Sequence, residues 1–286
     1  MFEVEKSEFP YLVDIGVTSI CAKGCKYCYA SANPDGKHAD NYFLNSILLT
    51  DLLAANVFEV VLGGYGEPTL YQDGYKRGIE CVISAYKDHN FKVGLTTSNY
   101  EWNHASNFNE SVGKLDSLAI SCNSLEDLHP AIELAKAVLH EPVLVDHRKP
   151  QVSIQTIAGI LPWKDTMTIL RTATASPNWI RNVTILGLHN CGRAKSLKGY
   201  KVPKGWMNQV RSIEDGRLNI GIDATMVNNW GDELLAAGVE PYRLSGAEGK
   251  QTCFVDAVSQ TIKPSSYSDV SHPWLNDKFL EIFAKL

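Results

Sequence analysis

The sequence predicts an α/β protein: a partial (β/α)6 TIM-like barrel over residues 1–195, followed by a small α+β extension over 196–286. Three observations lead there. Within the first two thirds of the chain, β-rich runs alternate six times with longer amphipathic stretches, the pattern of parallel strands joined by right-handed helical crossovers. After the sixth run the alternation stops, and the remainder reads as mixed strand and helix. The chain has 286 residues, 44% of them hydrophobic and 21% charged, enough to bury a substantial core.

Taken in order, "YLVDIGVTSI" (11–20) is the first strand, and "FLNSILLTDLLAA" (43–55) carries apolar residues at helical spacing. "VFEVVLGG" (57–64) is a buried strand stopped by glycines. A helix is expected over about 72–88, then strands "FKVGLTT" (91–97) and "LDSLAISC" (116–122). A helix near 126–140 leads to the strand "QVSIQTIAG" (151–159), and a helix near 164–174 leads to "NVTILGL" (182–188). The extension offers "RLNIGIDATMV", the hairpin-like "GKQTCFVDAVSQTIKPSSY" and a terminal helix in "WLNDKFLEIFAKL".

Charge and composition narrow the function classes. A net charge of -5 gives no general attraction to nucleic acid, so RNA is a disfavoured substrate. No apolar run has the length of a membrane span. The start, "MFEVEKSEFP", lacks the basic and apolar regions of a signal peptide. Seven cysteines without regular spacing point to a reducing cytoplasm, where clustered thiols bind metal more often than they form disulfides.

Three of those cysteines stand together in "CAKGCKYCY", at the end of the first strand, where β/α proteins build their sites. Soft thiolates select zinc or iron–sulfur. Zinc with three protein ligands needs a distant fourth ligand or a water. A [4Fe–4S] cube on three thiolates leaves one iron open. At the end of the second strand follows "GGYGEPTL" (63–70), a glycine-rich turn whose backbone can approach a ligand closely.

The Cys-x3-Cys-x2-Cys motif with an aromatic before its last cysteine resembles the signature of the radical S-adenosylmethionine (radical SAM) superfamily. The resemblance runs over roughly residues 11–195. It implies that Cys21, Cys25 and Cys28 hold a [4Fe–4S] cluster, with Tyr27 near the adenine of S-adenosylmethionine (SAM). The GEP turn is similar to the family's Gly-Gly-Glu motif, with Gly64, Gly66 and Glu67 as the matches. Thr97, Ser98 and Asn99 after the third strand fall where the family binds SAM. So do Ser121, Asn123 and Ser124 at the fourth, and Gln155 and Ile157 on the fifth. "LGLHNCGRA" at the sixth resembles the ending of peptide-modifying members, with Arg193 placed to pair with a carboxylate.

The resemblance implies an enzyme that cleaves SAM reductively to a 5′-deoxyadenosyl radical and abstracts hydrogen from a substrate. A peptide or protein side chain is the first expectation for that substrate. A nucleotide, RNA or small metabolite is the alternative. An electron donor such as flavodoxin or ferredoxin, sensitivity to oxygen and no membrane partner are implied with it. A structural iron–sulfur or zinc protein is the rival of another class, and an activase placing a glycyl radical on a partner is a further one.

In outline the extension resembles the SPASM/twitch type of the peptide-modifying branch. It holds one cysteine, Cys253, and reads Pro264-Ser265 where a Pro-Cys is expected, so no auxiliary cluster is expected there. It is read as a cluster-free relic or a cap over the substrate. Cys81 is expected to be a buried hydrophobe. Cys122 and Cys191, at the ends of strands four and six, are expected to face the site, with Cys191 a candidate hydrogen-atom donor. His189 stands beside it, and Asp223 and Asp256 are expected on the polar faces of strands.

Overall fold

The structure is a computed structural model that describes residues 5–140, 149–176, 179–180, 182–213, 219–240, 248–276 and 278–286. Six strands follow the expected order: β1 (Leu12–Gly16), β2 (Glu59–Leu62), β3 (Lys92–Thr97), β4 (Ser117–Ser121), β5 (Gln151–Ile157) and β6 (Asn182–Leu186). Each pairs in parallel with the next. Parallel pairing then runs one strand further than the six expected, because β7 (Asn219–Ile222) lies beside β6. Arg217 and Leu218, which open that run in the sequence, lie outside the described residues. At the opposite edge β8 (Thr252–Asp256) joins β1 in parallel. It turns back into β9 (Thr261–Lys263), which pairs antiparallel with β8 and with β10 (His272–Pro273). Among the described residues this makes one ten-stranded sheet, ordered β10-β9-β8-β1-β2-β3-β4-β5-β6-β7. The extension therefore supplies strands to both edges.

The helices are α1 (Leu49–Ala54), entered through a π-helical segment (Phe43–Leu48), then α2 (Ile79–Lys87), α3 (Phe108–Val112) and α4 (Leu128–His140). They continue with α5 (Trp163–Thr174), α6 (Trp206–Arg211), α7 (Ala224–Ala236) and α8 (Phe279–Phe283). The expected helix over 72–88 is shorter, starting at Ile79, because Asp73 folds the preceding residues into a turn. Its carboxylate accepts from the backbone N–H groups of Tyr75 and Arg77 (2.8 Å each) and from Arg77 Nε (2.7 Å).

Parallel strands covered on both faces read as continuous apolar runs, but these alternate. Val13 and Ile15, Val60 and Leu62, Leu118 and Ile120, and Val183 and Ile185 are fully buried and join one core with the helices. Each such side chain stabilises by roughly 1.5–3 kcal/mol relative to exposure. The opposite parity carries Asp14, Thr96, Ser121 and Gln155, and these line a cavity instead of a second apolar layer.

That parity corrects two expectations. Cys122 has no exposed surface and belongs to the apolar core, so it does not face the cavity. Burial pushes its thiol up to about 12. Cys253 is likewise core, aligned with Val13. Neither of the acids expected on strand faces lies there as a free polar group. Asp223 caps α7, accepting from the N–H groups of Met226 (2.8 Å) and Gly187 (3.0 Å). Asp256, at the end of β8, binds the N–H groups of Val258 and Ser259 and the hydroxyl of Ser259, and so shapes the β8–β9 turn.

Candidate functional site

At the carboxyl ends of β1–β6 lies a cavity of about 350 Å³, walled by the cysteine loop after β1, the turn after β2 and the ends of β3–β6. Cys21, Cys25 and Cys28 all line it. They share the wall without gathering round a single point: among the described residues no three His, Cys, Asp or Glu side chains are close enough to hold one metal ion. Burial holds the Cys21 thiol above its ordinary value.

The loops are built around Glu67, whose side chain is buried. Its carboxylate accepts from Thr97 Oγ1 (2.7 Å), Ser98 N (2.8 Å), Ser98 Oγ (3.1 Å), Thr69 Oγ1 (2.9 Å) and Thr69 N (3.3 Å). Its backbone N–H donates to the Ile20 carbonyl at 2.8 Å. One residue thus ties together the loops after β1, β2 and β3. Gly66 makes this approach possible. Its φ is +60°, and a Cβ there would stand 2.3 Å from the Thr18 carbonyl oxygen, so only glycine fits.

Around this knot stand Tyr27, Gly64 and Gly66 on one side and Ser98, Ser121, Asn123 and Gln155 on the other, all on the cavity wall. Burial, and then the neighbouring Cys25, raises the Tyr27 phenol above its ordinary value, so it stays neutral. The Asn123 side-chain carbonyl accepts from Ile157 N (2.9 Å), and the Asn123 backbone N–H donates to Asp127 (3.1 Å). Asp127 pairs with Lys23 of the cysteine loop (3.1 Å), which also donates to the Tyr100 hydroxyl (2.9 Å); that hydroxyl donates to the Ser121 carbonyl (2.6 Å). This chain of contacts fastens the cysteine loop to the β4 end.

Besides Cys122, four expected site residues stand off the wall: Asn99 donates to Thr69 Oγ1 (3.0 Å), Ser124 Oγ accepts from Asp127 N (3.1 Å), and Arg193 and Cys191 lie outside the lining. Arg193 turns back onto the cysteine loop instead: Nε donates to the Cys25 carbonyl (2.9 Å), a terminal nitrogen to the Ala32 carbonyl (2.6 Å), and its N–H to the Cys28 carbonyl (3.0 Å). It clamps the loop that carries the thiols. Cys191 is half-buried just before the short helical turn Gly192–Ser196, also outside the lining residues.

The structure adds residues that sequence reasoning passed over. The Tyr29 hydroxyl donates to the Gly64 carbonyl at 2.5 Å. Its ring meets His189 and Tyr267 edge-on at 6.0 and 6.2 Å, and those two stack at 3.4 Å. Burial lowers His189 to about 4, so its ring is neutral at neutral pH. Lys263 of β9 donates to the Tyr65 hydroxyl (2.8 Å), and Tyr65 packs on Phe254 at 4.9 Å. Asp14 lines the cavity from the middle of β1. A charge inside the apolar run "LVDIG" was the available signal. A second cavity, of about 500 Å³, lies at the amino ends of β5–β7 and contains none of the motif residues.

Comparison with known proteins agrees with this geometry. Residues 15–150 match the family model "Radical SAM superfamily". The fold is similar to Streptococcus suis SuiB bound to precursor peptide SuiA, with a TM-score of 0.70 and 14% identity over 97% of this chain and 65% of that one. SuiB bound to S-adenosylmethionine gives 0.68 and 14%, over 96% of this chain and 66% of that one. Native anSMEcpe with bound AdoMet and Cp18Cys peptide gives 0.52 and 12%, over 91% and 75%. The chain spans slightly under two thirds of SuiB, and at these identities the likeness shows the fold. No curated protein matches the chain by sequence. Residues 15–150 form a radical SAM domain.

Proposed function

We propose that this protein is a radical SAM enzyme that abstracts a hydrogen atom from a side chain of a peptide or protein. The observation that carries the reading is the meeting of three motif thiols, the Gly-Tyr-Gly-Glu-Pro turn and the polar ends of β3–β5 at one cavity. The donor set fits a [4Fe–4S] cluster: three soft thiols spread along one wall suit three irons of a cube. When bound, the cluster and SAM supply one-electron cleavage of the SAM C5′–S bond to a 5′-deoxyadenosyl radical, the hard chemistry of the site.

The chain's own residues hold and shield. Cys21, Cys25 and Cys28 would ligate the cluster, and Arg193 and Lys23 fix the loop that presents them. The Glu67 knot sets the turn at Gly64–Gly66 against that loop. Tyr27, Ser98, Ser121, Asn123 and Gln155 offer the polar and aromatic surface for SAM. The extension reaches the rim: Ser266 lines the cavity, and Tyr267 packs on Tyr29 and His189. That supports its reading as a cap that keeps water and oxygen from a reactive intermediate.

The peptide substrate is inferred from the fold shared with SuiB, whose structure holds a precursor peptide. A cytoplasmic setting and an electron donor such as flavodoxin or ferredoxin belong to the same proposal. No helix among the described residues is long and apolar enough to cross a membrane. The test is anaerobic. Protein reconstituted with iron and sulfide, given SAM and dithionite, should form 5′-deoxyadenosine, and Cys25→Ala should abolish it. One bound zinc with no SAM cleavage contradicts the proposal.

A further inference from the structure

We propose that Asp14 anchors a cationic side chain, an ammonium or guanidinium, that the substrate carries into the cavity. This rests on the peptide reading above and names what the site selects within it.

Asp14 shares the cavity with the three thiols, but its depth sets it apart. The motif residues stand in loops beyond the strand ends, whereas Asp14 is the middle residue of β1, two positions before its last residue, Gly16. At about 3.3 Å per residue, that places it roughly 6–7 Å further down the barrel. A group entering past the motif loops reaches Asp14 only beyond them.

Its carboxyl has no use within the fold. Among the described residues no hydrogen bond or ion pair reaches the Asp14 carboxyl, whereas those of Glu67, Asp223 and Asp256 are each held by several donors. The side chain is partly open to the cavity and enclosed by protein elsewhere. The groups around it are acids and rings. Glu59 and Glu248 add their repulsion to burial, and together these push Asp14 up to about 7. Glu248 is itself pushed up to about 7, by burial and then by Asp223. Lysines of the surrounding elements are engaged elsewhere: Lys6 donates to the Gly249 carbonyl (2.7 Å), Lys92 of β3 lies over the Phe58 ring at 4.7 Å, and Lys263 of β9 donates to Tyr65.

Phe254 aligns with Asp14 across the β1–β8 pair and so shares its face, and Tyr29 lies close enough to feel its charge. An acid at depth with aromatic walls above it suits a lysine or arginine. The methylene stem lies along the rings, and the charged head meets the carboxylate. A neutral side chain of the same length leaves the acid unpaired, and that difference is the source of selectivity.

The experiment uses the full chain, reconstituted and SAM-bound, with acetyl-Gly-Gly-X-Gly-Gly-amide peptides in which X is lysine, arginine, norleucine or glutamate. Saturation-transfer NMR titrations give relative affinities. The lysine or arginine peptide should bind about tenfold tighter than the norleucine peptide. The ratio should fall to near one in Asp14→Asn and in Asp14→Ser, each checked for folding by circular dichroism. Equal binding of lysine and norleucine by the wild type overturns the proposal, as does failure of any cationic peptide to bind at millimolar concentration. So does a ratio that survives in both variants, or a loss of SAM affinity in place of the ratio. Absence of SAM cleavage would strike the enzyme reading instead, and the peptide ratio reads separately from it.

Discussion

Glu67 shows how one side chain can hold a site without touching chemistry. It accepts five hydrogen bonds in a buried position, so Glu67→Ala strands the donors of Thr69, Thr97 and Ser98. We expect a loss of about 1–3 kcal/mol per unsatisfied buried group, read by urea denaturation, with iron uptake falling alongside. Arg193→Met should act differently. It removes two guanidinium bonds to the backbone of the cysteine loop, which lies outside the hydrophobic core. Iron and sulfide bound per chain should drop while the melting temperature moves little. Asp14 predicts a pH effect. Its folded-state value is raised to about 7, so the native state binds more protons than the unfolded one, and stability falls as pH rises between about 4 and about 7. Asp14→Asn lacks that slope, and its melting temperature should exceed the wild type's by a few degrees at neutral pH and match it in acid. The cysteines and the GEP turn were legible because those residue types at that density have few other uses. Arg193 was expected to meet a carboxylate at the site and instead clamps the cysteine loop, a role the sequence could not show, since a bond to a carbonyl 168 positions away leaves no residue-type signature.

At the scale of elements, strand position was readable and strand company was not. The six β/α repeats stand where apolar alternation puts them, because the outer face of each strand must meet a helix. Nothing in "NIGI" announces that it extends the parallel sheet beyond β6, since a four-residue strand carries too little pattern to reveal its neighbour. The start of the expected helix over 72–88 was misplaced because Asp73 rebuilds the backbone before α2, and α7 was not expected, its cap Asp223 having been read as a strand residue. The turn after β2 is the element most exposed to substitution. Gly66→Ala would bring a Cβ within 2.3 Å of the Thr18 carbonyl at a left-handed φ. The strain alone is about 1–3 kcal/mol. The loops after β1 and β2 must then part, so loss of cluster binding should precede loss of the fold, which iron analysis and circular dichroism on one sample would reveal.

Across the whole molecule, the extension closes the account of the site. Its strands join both edges of the sheet, and its β8–β9 hairpin brings Phe254 and Lys263 against the turn after β2. Tyr267, just beyond, reaches the aromatic group at the rim. Barrel and extension therefore share the cavity's surroundings, which the sequence could suggest only in outline. The central claim is that three thiolates hold a cluster whose remaining iron is free for SAM. Electron paramagnetic resonance of the reconstituted, reduced protein, recorded with and without SAM, tests it most directly. The account predicts a [4Fe–4S]⁺ signal whose g-values shift when SAM binds. A signal unchanged by saturating SAM would contradict it.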